Sequence, residues 1–201
     1  MHGREVVGEA QLEREALAGL PVVRKSELLE LQKGARPFGG FAALKWGTGC
    51  ARVFASPGPI YEPEGARKDY WRLARAFYAA GFRAGDLVHN TFSYHFTPAG
   101  SMTETAAHAL GCTVFPAGVG QTEQQVAAML DLRPDAYAGT PSFLRIILDK
   151  ADELGVKIDS LTKAFVSGEA FPPSQCEALV ARGIQAFQAY ATADIGLIAF
   201  E

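Results

Sequence analysis

The side chains able to do chemistry gather in five short corners of the chain. These are Ser56-Pro57-Gly58-Pro59, Ser93-Tyr94-His95-Phe96, Gly139-Thr140-Pro141-Ser142, Ser167-Gly168-Glu169 and Tyr190-Ala191-Thr192-Ala193-Asp194. A neutral imidazole such as that of His95 can orient a carboxylate. A carboxylate such as that of Asp194 suits a hard cation, and a glycine such as Gly168 lets backbone approach a flat ring. Singly, each corner also reads as ordinary architecture. Gly139-Thr140-Pro141-Ser142 makes a sound helix start, with Thr140 as cap and Pro141 at the first helical position. His95 reads as a half-buried histidine at a strand end, and Tyr190–Asp194 as a strand running into a polar turn. Cys50, Cys112 and Cys176 lie far apart and form no paired motif, which argues against a disulfide framework or a structural zinc. No Gly-X-Gly-X-X-Gly follows any expected strand, which weighs against a dinucleotide oxidoreductase.

The elements that must position these corners follow from periodicity. Strands are expected at Arg52–Ser56, Asp86–Phe92, Thr113–Phe115, Ala136–Ala138, Lys163–Ser167 and Ala186–Tyr190, with another starting at Gly196–Phe200. Helices are expected at Ala66–Ala80, Pro98–Leu110, Thr122–Leu132, Pro141–Leu154 and Pro173–Arg182. The N-terminal stretch Gly8–Gln32 reads as two short helices, the first marked by Leu12, Ala16 and Leu17, the second capped by Ser26. Gly34–Gly49 is a Gly-rich connector and Pro57–Pro63 a Pro-rich turn. Strands alternating with helices predict an α/β fold: a mostly parallel sheet with helices on both faces. The expected division is a helical segment plus connector over 1–49 and an α/β domain over 50–201. In such folds ligands sit beyond the carboxyl ends of the strands, where all five corners fall.

Composition narrows the function classes. Of 201 residues, 48% are apolar and 20% charged, with a formal net charge of −3, an ordinary balance for a packed protein. Without a basic excess there is nothing to drive phosphate-backbone binding, so no nucleic-acid role is expected. No apolar run approaches the ~18 residues that cross a bilayer, and no signal-peptide pattern opens the chain. A cytoplasmic protein without membrane attachment is the expectation.

Order and spacing carry further information. Lys25-Ser26-Glu27-Leu28, Pro37-Phe38-Gly39, Gly85-Asp86-Leu87-Val88, Leu110–Gly118, Gly120-Gln121-Thr122-Glu123, Gly139–Ser142, Gly168-Glu169 and Tyr190–Asp194 follow one another as in a known family. The sequence resembles the adenylate-forming acid–CoA ligases, specifically the phenylacetate–CoA ligase group, over their N-terminal portion. The fold this implies is the large N-terminal domain of an adenylate-forming enzyme in part: residues 50–201 would be its α/β nucleotide- and acyl-binding domain, incomplete at its C-terminus, with the C-terminal lid domain absent.

The resemblance implies a two-step reaction on a small aromatic carboxylic acid, with ATP, Mg²⁺ and CoA as cofactors and co-substrates. ATP and the acid would give an acyl-adenylate, and CoA would then displace AMP to leave the thioester. By the same resemblance Ser56, Gly58, Gly168, Glu169, Tyr190, Thr192 and Asp194 would bind ATP or AMP, with Asp194 holding Mg²⁺. Tyr94, His95, Phe96, Thr140 and Pro141 would border the acyl pocket. Tyr-Gly-X-Thr-Glu in the family becomes Tyr190-Ala191-Thr192-Ala193-Asp194 here. The larger departure is the phosphate loop: three prolines without N–H, no Lys, and Glu62 to repel phosphate. That departure keeps a second reading open, a non-catalytic descendant that binds an acid, an acyl-CoA or a nucleotide. Partners are therefore small molecules, with a homodimer as an added option.

Overall fold

The computed structural model describes residues 18–45, 47–56 and 60–201. The helix expected around Leu12–Leu17, and Gly58 with its flanking prolines, lie outside the described residues. The elements run α1 (Lys25–Gly34), β1 (Cys50–Ser56), β2 (Ile60–Gly65), α2 (Ala74–Ala79), β3 (Leu87–Asn90), α3 (Ala99–Leu110), β4 (Thr113–Pro116), α4 (Thr122–Leu132), β5 (Ala136–Gly139), α5 (Pro141–Glu153), β6 (Lys163–Val166), α6 (Pro173–Ala181), β7 (Gln185–Thr192) and β8 (Gly196–Phe200).

Six strands form the main sheet in the order β4-β3-β5-β6-β7-β8. β3 pairs in parallel with β4 on one side and β5 on the other, and β5, β6 and β7 continue in parallel. Only β8 runs antiparallel, against β7. The order reverses at β3, so the crevice between the ends of β3 and β5 is a topological switch point. Period-two alternation along the strands feeds two cores. Val88, Ala136, Ala138 and Phe165 pack with Phe77 of α2 and Met102, Ala106 and Ala107 of α3. Tyr137, Ala164 and Val166 face the other way, onto Val126 and Met129 of α4, Leu144 and Ile147 of α5 and Leu179 of α6. Each large apolar side chain so buried contributes about 1.5–3 kcal/mol. Helices on both faces of a mostly parallel sheet are thus what the strand–helix alternation encodes.

Three local expectations need correction. The turn expected over Pro57–Pro63 continues into a strand: β2 pairs with β1 as an antiparallel hairpin separate from the main sheet, with Pro63 opposite Val53. A proline is tolerated there because a two-stranded ribbon is all edge. The long helix expected over Ala66–Ala80 is only Ala74–Ala79. Before it, Asp69 and Arg72 take left-handed backbone angles, and both Asp69 carboxylate oxygens accept from the Ala74 N–H at 3.2 Å, which starts the helix late. In α1 the cap position is Arg24 rather than Ser26, with the Glu27 carboxylate accepting from the Arg24 N–H at 3.3 Å.

Candidate functional site

Two cavities meet at the carboxyl ends of β6 and β7. One, of about 550 Å³, is lined by Ser167, Gly168, Glu169, Gln188, Tyr190 and the end of β8. The other, of about 180 Å³, is apolar, with Leu73, Phe92, Met102 and Phe165 in its wall together with Thr192 and Ala193. Ser167, Gly168 and Ala191 border both.

The shared wall is built by the β6 corner. Gly168 has φ of +86°, with nothing nearer than 3.7 Å to an added Cβ. The glycine is therefore demanded by the left-handed backbone rather than by crowding. The Ser167 hydroxyl donates to the Ala189 carbonyl at 2.6 Å, tying β6 to β7. The Glu169 carboxylate accepts from the Ser142 N–H at 2.6 Å, an anion placed at the N-terminus of α5, where free N–H groups favour it. Tyr190 is 61% exposed, its ring presented to the larger cavity. A register shift between Tyr190 and Ala191 moves the ladder from Ala199 to Leu197. After that shift Thr192 lines the apolar cavity, and its hydroxyl accepts from the Ile195 N–H at 3.3 Å.

Of the expected nucleotide residues, Gly168, Glu169 and Tyr190 come together around the larger cavity and Thr192 sits at its neighbour. Ser56 does not join them. It is buried inside the hairpin, its hydroxyl donating to the Ile60 carbonyl at 3.4 Å.

The acyl-pocket expectation also shifts. None of Tyr94, His95, Phe96, Thr140 and Pro141 lines the apolar cavity; Phe92, Thr97 and Pro98 of the same loop do. The loop turns outward because Phe96 has φ of +59° and lies 82% exposed, while its carbonyl accepts from the Ala55 N–H of β1 at 2.8 Å. Tyr94 is held away by its hydroxyl, which donates to Glu104 at 2.8 Å and accepts from Asn90 at 2.7 Å. Burial and the Glu104 hydrogen bond push that phenol far above its ordinary pKa. His95 is exposed. Thr140 caps α5, accepting from the Phe143 N–H at 3.3 Å, and Pro141 is the first residue of that helix.

Asp194 faces a third cavity, of about 520 Å³, between α1, β2 and the Tyr70–Arg72 turn, with Glu62 beside it. Lys25 donates to both Asp194 oxygens, at 3.1 and 2.8 Å. Burial, then the hydrogen bond to Asp194 and its charge, push Glu62 up to about 7, with Lys25 opposing. Asp194 itself is held below the usual carboxylate range: burial acts upward, but the Lys25 and Glu62 hydrogen bonds and the Lys25 charge outweigh it. These hard oxygen donors suit Mg²⁺ in type. However, both Asp194 oxygens already carry an ammonium, and no group of three or more His, Cys, Asp or Glu is placed to hold a metal among the described residues. In this arrangement the residues do not fit a protein-held metal ion. Lys25 is a member of this cluster that its sequence position does not reveal. Leu73, Met102 and Phe165, which form the apolar cavity, look in the sequence like any other core positions.

No family model matches the chain. A phenylacetate–coenzyme A ligase of Aromatoleum evansii is 33% identical over 189 residues, covering 89% of this chain and 42% of the relative. One of Thermus thermophilus is 31% identical over 172 residues, covering 79% and 37%. The chain thus spans about two-fifths of the length of these curated relatives. Among solved structures, an open conformation of 2-hydroxyisobutyryl-CoA ligase in complex with 2-HIB-AMP and CoA superposes with a TM-score of 0.79 at 25% identity. That match covers 86% of this chain and 40% of that one. An anthranilate CoA ligase in complex with anthranoyl-AMP shares the fold at a TM-score of 0.62 and 18% identity.

Proposed function

From a chain that is phenylacetate–CoA ligase-like over most of its length, with the fold of the adenylate-forming CoA ligases, we infer that the two joined cavities form an acyl-adenylate site. One observation carries the reading. A larger cavity with an exposed aromatic ring and a small apolar cavity share the Ser167–Gly168 wall, the shape that a nucleotide joined to a small acyl group requires. Relatives named as acid–CoA ligases, one of them solved with an acyl-AMP and CoA, support the same chemistry.

In this reading AMP stacks on Tyr190 and the mixed anhydride lies along Gly168. Glu169, fixed by the Ser142 N–H, borders the nucleotide side. The acid enters the apolar cavity, whose volume of about 180 Å³ suits a single ring or a short branched chain. The hydroxyls nearby add little polarity, since Ser167 is committed to Ala189 and Thr103 donates to the Ala99 and Gly100 carbonyls. The acid carboxylate attacks the α-phosphorus of ATP and pyrophosphate leaves; the CoA thiol then attacks the acyl carbon and AMP leaves. Mg²⁺, when brought by the nucleotide, would offset phosphate charge. A second reading, a binder of adenylate or acyl-CoA that does not turn over ATP, is favoured by the sealed Ser56 hydroxyl and by the loop prolines that lack N–H groups.

Calorimetric titration of the 201-residue protein with AMP, ATP plus MgCl₂, CoA and phenylacetate tests both. AMP should bind, and Tyr190→Ala should weaken it by about tenfold, the scale of one lost aromatic–base stack. ATP binding at least as tight as AMP binding supports the ligase. AMP or CoA binding with no measurable ATP binding supports the binder, and binding of neither AMP nor CoA defeats both.

A further inference from the structure

The Glu62–Asp194 pair is held by an element far away in sequence. Lys25, the first residue of α1, reaches Asp194 across 169 positions, at 3.1 and 2.8 Å to the two oxygens. Its reach is fixed further down the same helix. Gln32, only 6% exposed, donates through its amide nitrogen to the Tyr61 carbonyl at 3.0 Å and accepts from the Tyr61 N–H at 2.8 Å. This two-bond clamp docks α1 onto β2 at the residue immediately before Glu62. The helix that presents Lys25 and the strand that presents Glu62 are therefore locked to each other. The ammonium is thus steered to Asp194, which sits in the turn between β7 and β8.

We propose that Lys25 is the resident counter-cation of the Glu62–Asp194 pair and, by occupying both Asp194 oxygens, keeps that carboxylate from taking a divalent cation. An ammonium and a divalent ion compete for the same lone pairs and repel each other at this range. That Asp194 would otherwise meet a metal–nucleotide rests on the acid-activation reading. The experiment below does not, because it reads the metal alone on the protein alone.

Mn²⁺ binding is followed by the loss of the free-ion electron paramagnetic resonance signal at neutral pH and low ionic strength. Wild type and Lys25→Arg should show only weak, unspecific uptake. Lys25→Met, which keeps the stem but removes the charge, should gain one Mn²⁺ equivalent at least about tenfold tighter. The gain should vanish in Lys25→Met/Asp194→Asn. Circular dichroism checks the fold, and Lys25→Gln serves the same purpose if the Met variant fails to fold. Mn²⁺ affinity of Lys25→Met within twofold of wild type overturns the proposal. So does a tight Mn²⁺ site in wild type that Asp194→Asn abolishes. Neither result would move AMP affinity, so failure here is distinct from failure of the acyl-adenylate reading.

Discussion

His89 lies in β3 with no exposed surface, facing α4. Its proton can be assigned from its neighbours. The Gln125 amide nitrogen donates to the Gly118 and Gly120 carbonyls at 3.0 and 3.1 Å. That leaves its oxygen to accept from His89 Nε2 at 2.5 Å. Among the described residues His89 Nδ1 has no hydrogen-bond partner, and it is buried, so a second proton there would be an unsolvated charge. Burial holds the imidazole below its ordinary value of 6.5, with the Gln125 bond opposing. Below about 6.5 the unfolded chain takes up this proton while the folded one does not. Stability from His89 is therefore complete at neutral pH and falls as pH drops through that value toward the depressed folded pKa. His89→Gln, which can keep the bond to Gln125 without titrating, should be less stable than wild type at pH 7. The gap should narrow toward about pH 5, as read by urea midpoints. A gap that stays constant with pH would mean that His89 is not kept neutral. None of this is visible in the sequence, where His89 is a lone histidine in a strand. Gln125, which decides its tautomer, is just one more polar residue in a helix.

At the scale of elements, the parallel sheet and its helices were legible because each unit carries its own signal. Pro141 at the start of α5 and Gly111 with φ of +84° after α3 mark boundaries locally. Elements fixed by distant partners were not legible in this way. The Tyr70–Arg72 turn has helical apolar spacing, yet the Asp69 carboxylate and the docking of Trp71 under β8 override it. The Trp71 carbonyl accepts from the Leu197 N–H at 3.1 Å. The candidate site divides along the same line. Gly168 and Tyr190 were readable from strand-end position, whereas the Lys25–Asp194 pair joins opposite ends of the chain. The end of β5 offers a test of how tightly one element is set. Thr91 donates to the Tyr137 hydroxyl at 2.7 Å, which in turn donates to the Thr140 carbonyl at 3.1 Å. A Cβ on Gly139 would fall 2.1 Å from the Thr91 hydroxyl and 2.2 Å from that of Tyr137. Gly139→Ala should therefore cost about 1–3 kcal/mol by overpacking, read as a lower urea midpoint with unchanged slope. An unchanged midpoint would mean that this buried hydroxyl chain yields freely.

For the molecule as a whole, the sheet ends are unequal. β8 closes one side and is the antiparallel edge. The apolar residues Ile195, Leu197, Ile198 and Phe200 predict an exposed apolar edge there, but the structure splits it. Leu197 is buried at 8% exposure beneath the Trp71 segment, whereas Ile195, Ile198 and Phe200 are 57%, 46% and 43% exposed. Arg72 donates to the Ile195 carbonyl, so the first part of the edge is covered by the Trp71–Arg72 turn. Among the described residues, the end near Ile198 and Phe200 is the part of this edge left open. No helix among the described residues is long and apolar enough to cross a membrane. An uncovered edge of this kind pairs most readily with its own copy, since two antiparallel β8 strands present matching donors and acceptors. With a strip this short the homodimer should be weak and reversible. Sedimentation velocity over a wide concentration range should show a rising sedimentation coefficient for wild type and a constant monomer value for Ile198→Lys, whose charge at the edge would be buried by pairing. Wild type that remains monomeric at the highest concentration would mean that the Trp71–Arg72 turn covers enough of β8 to silence the edge.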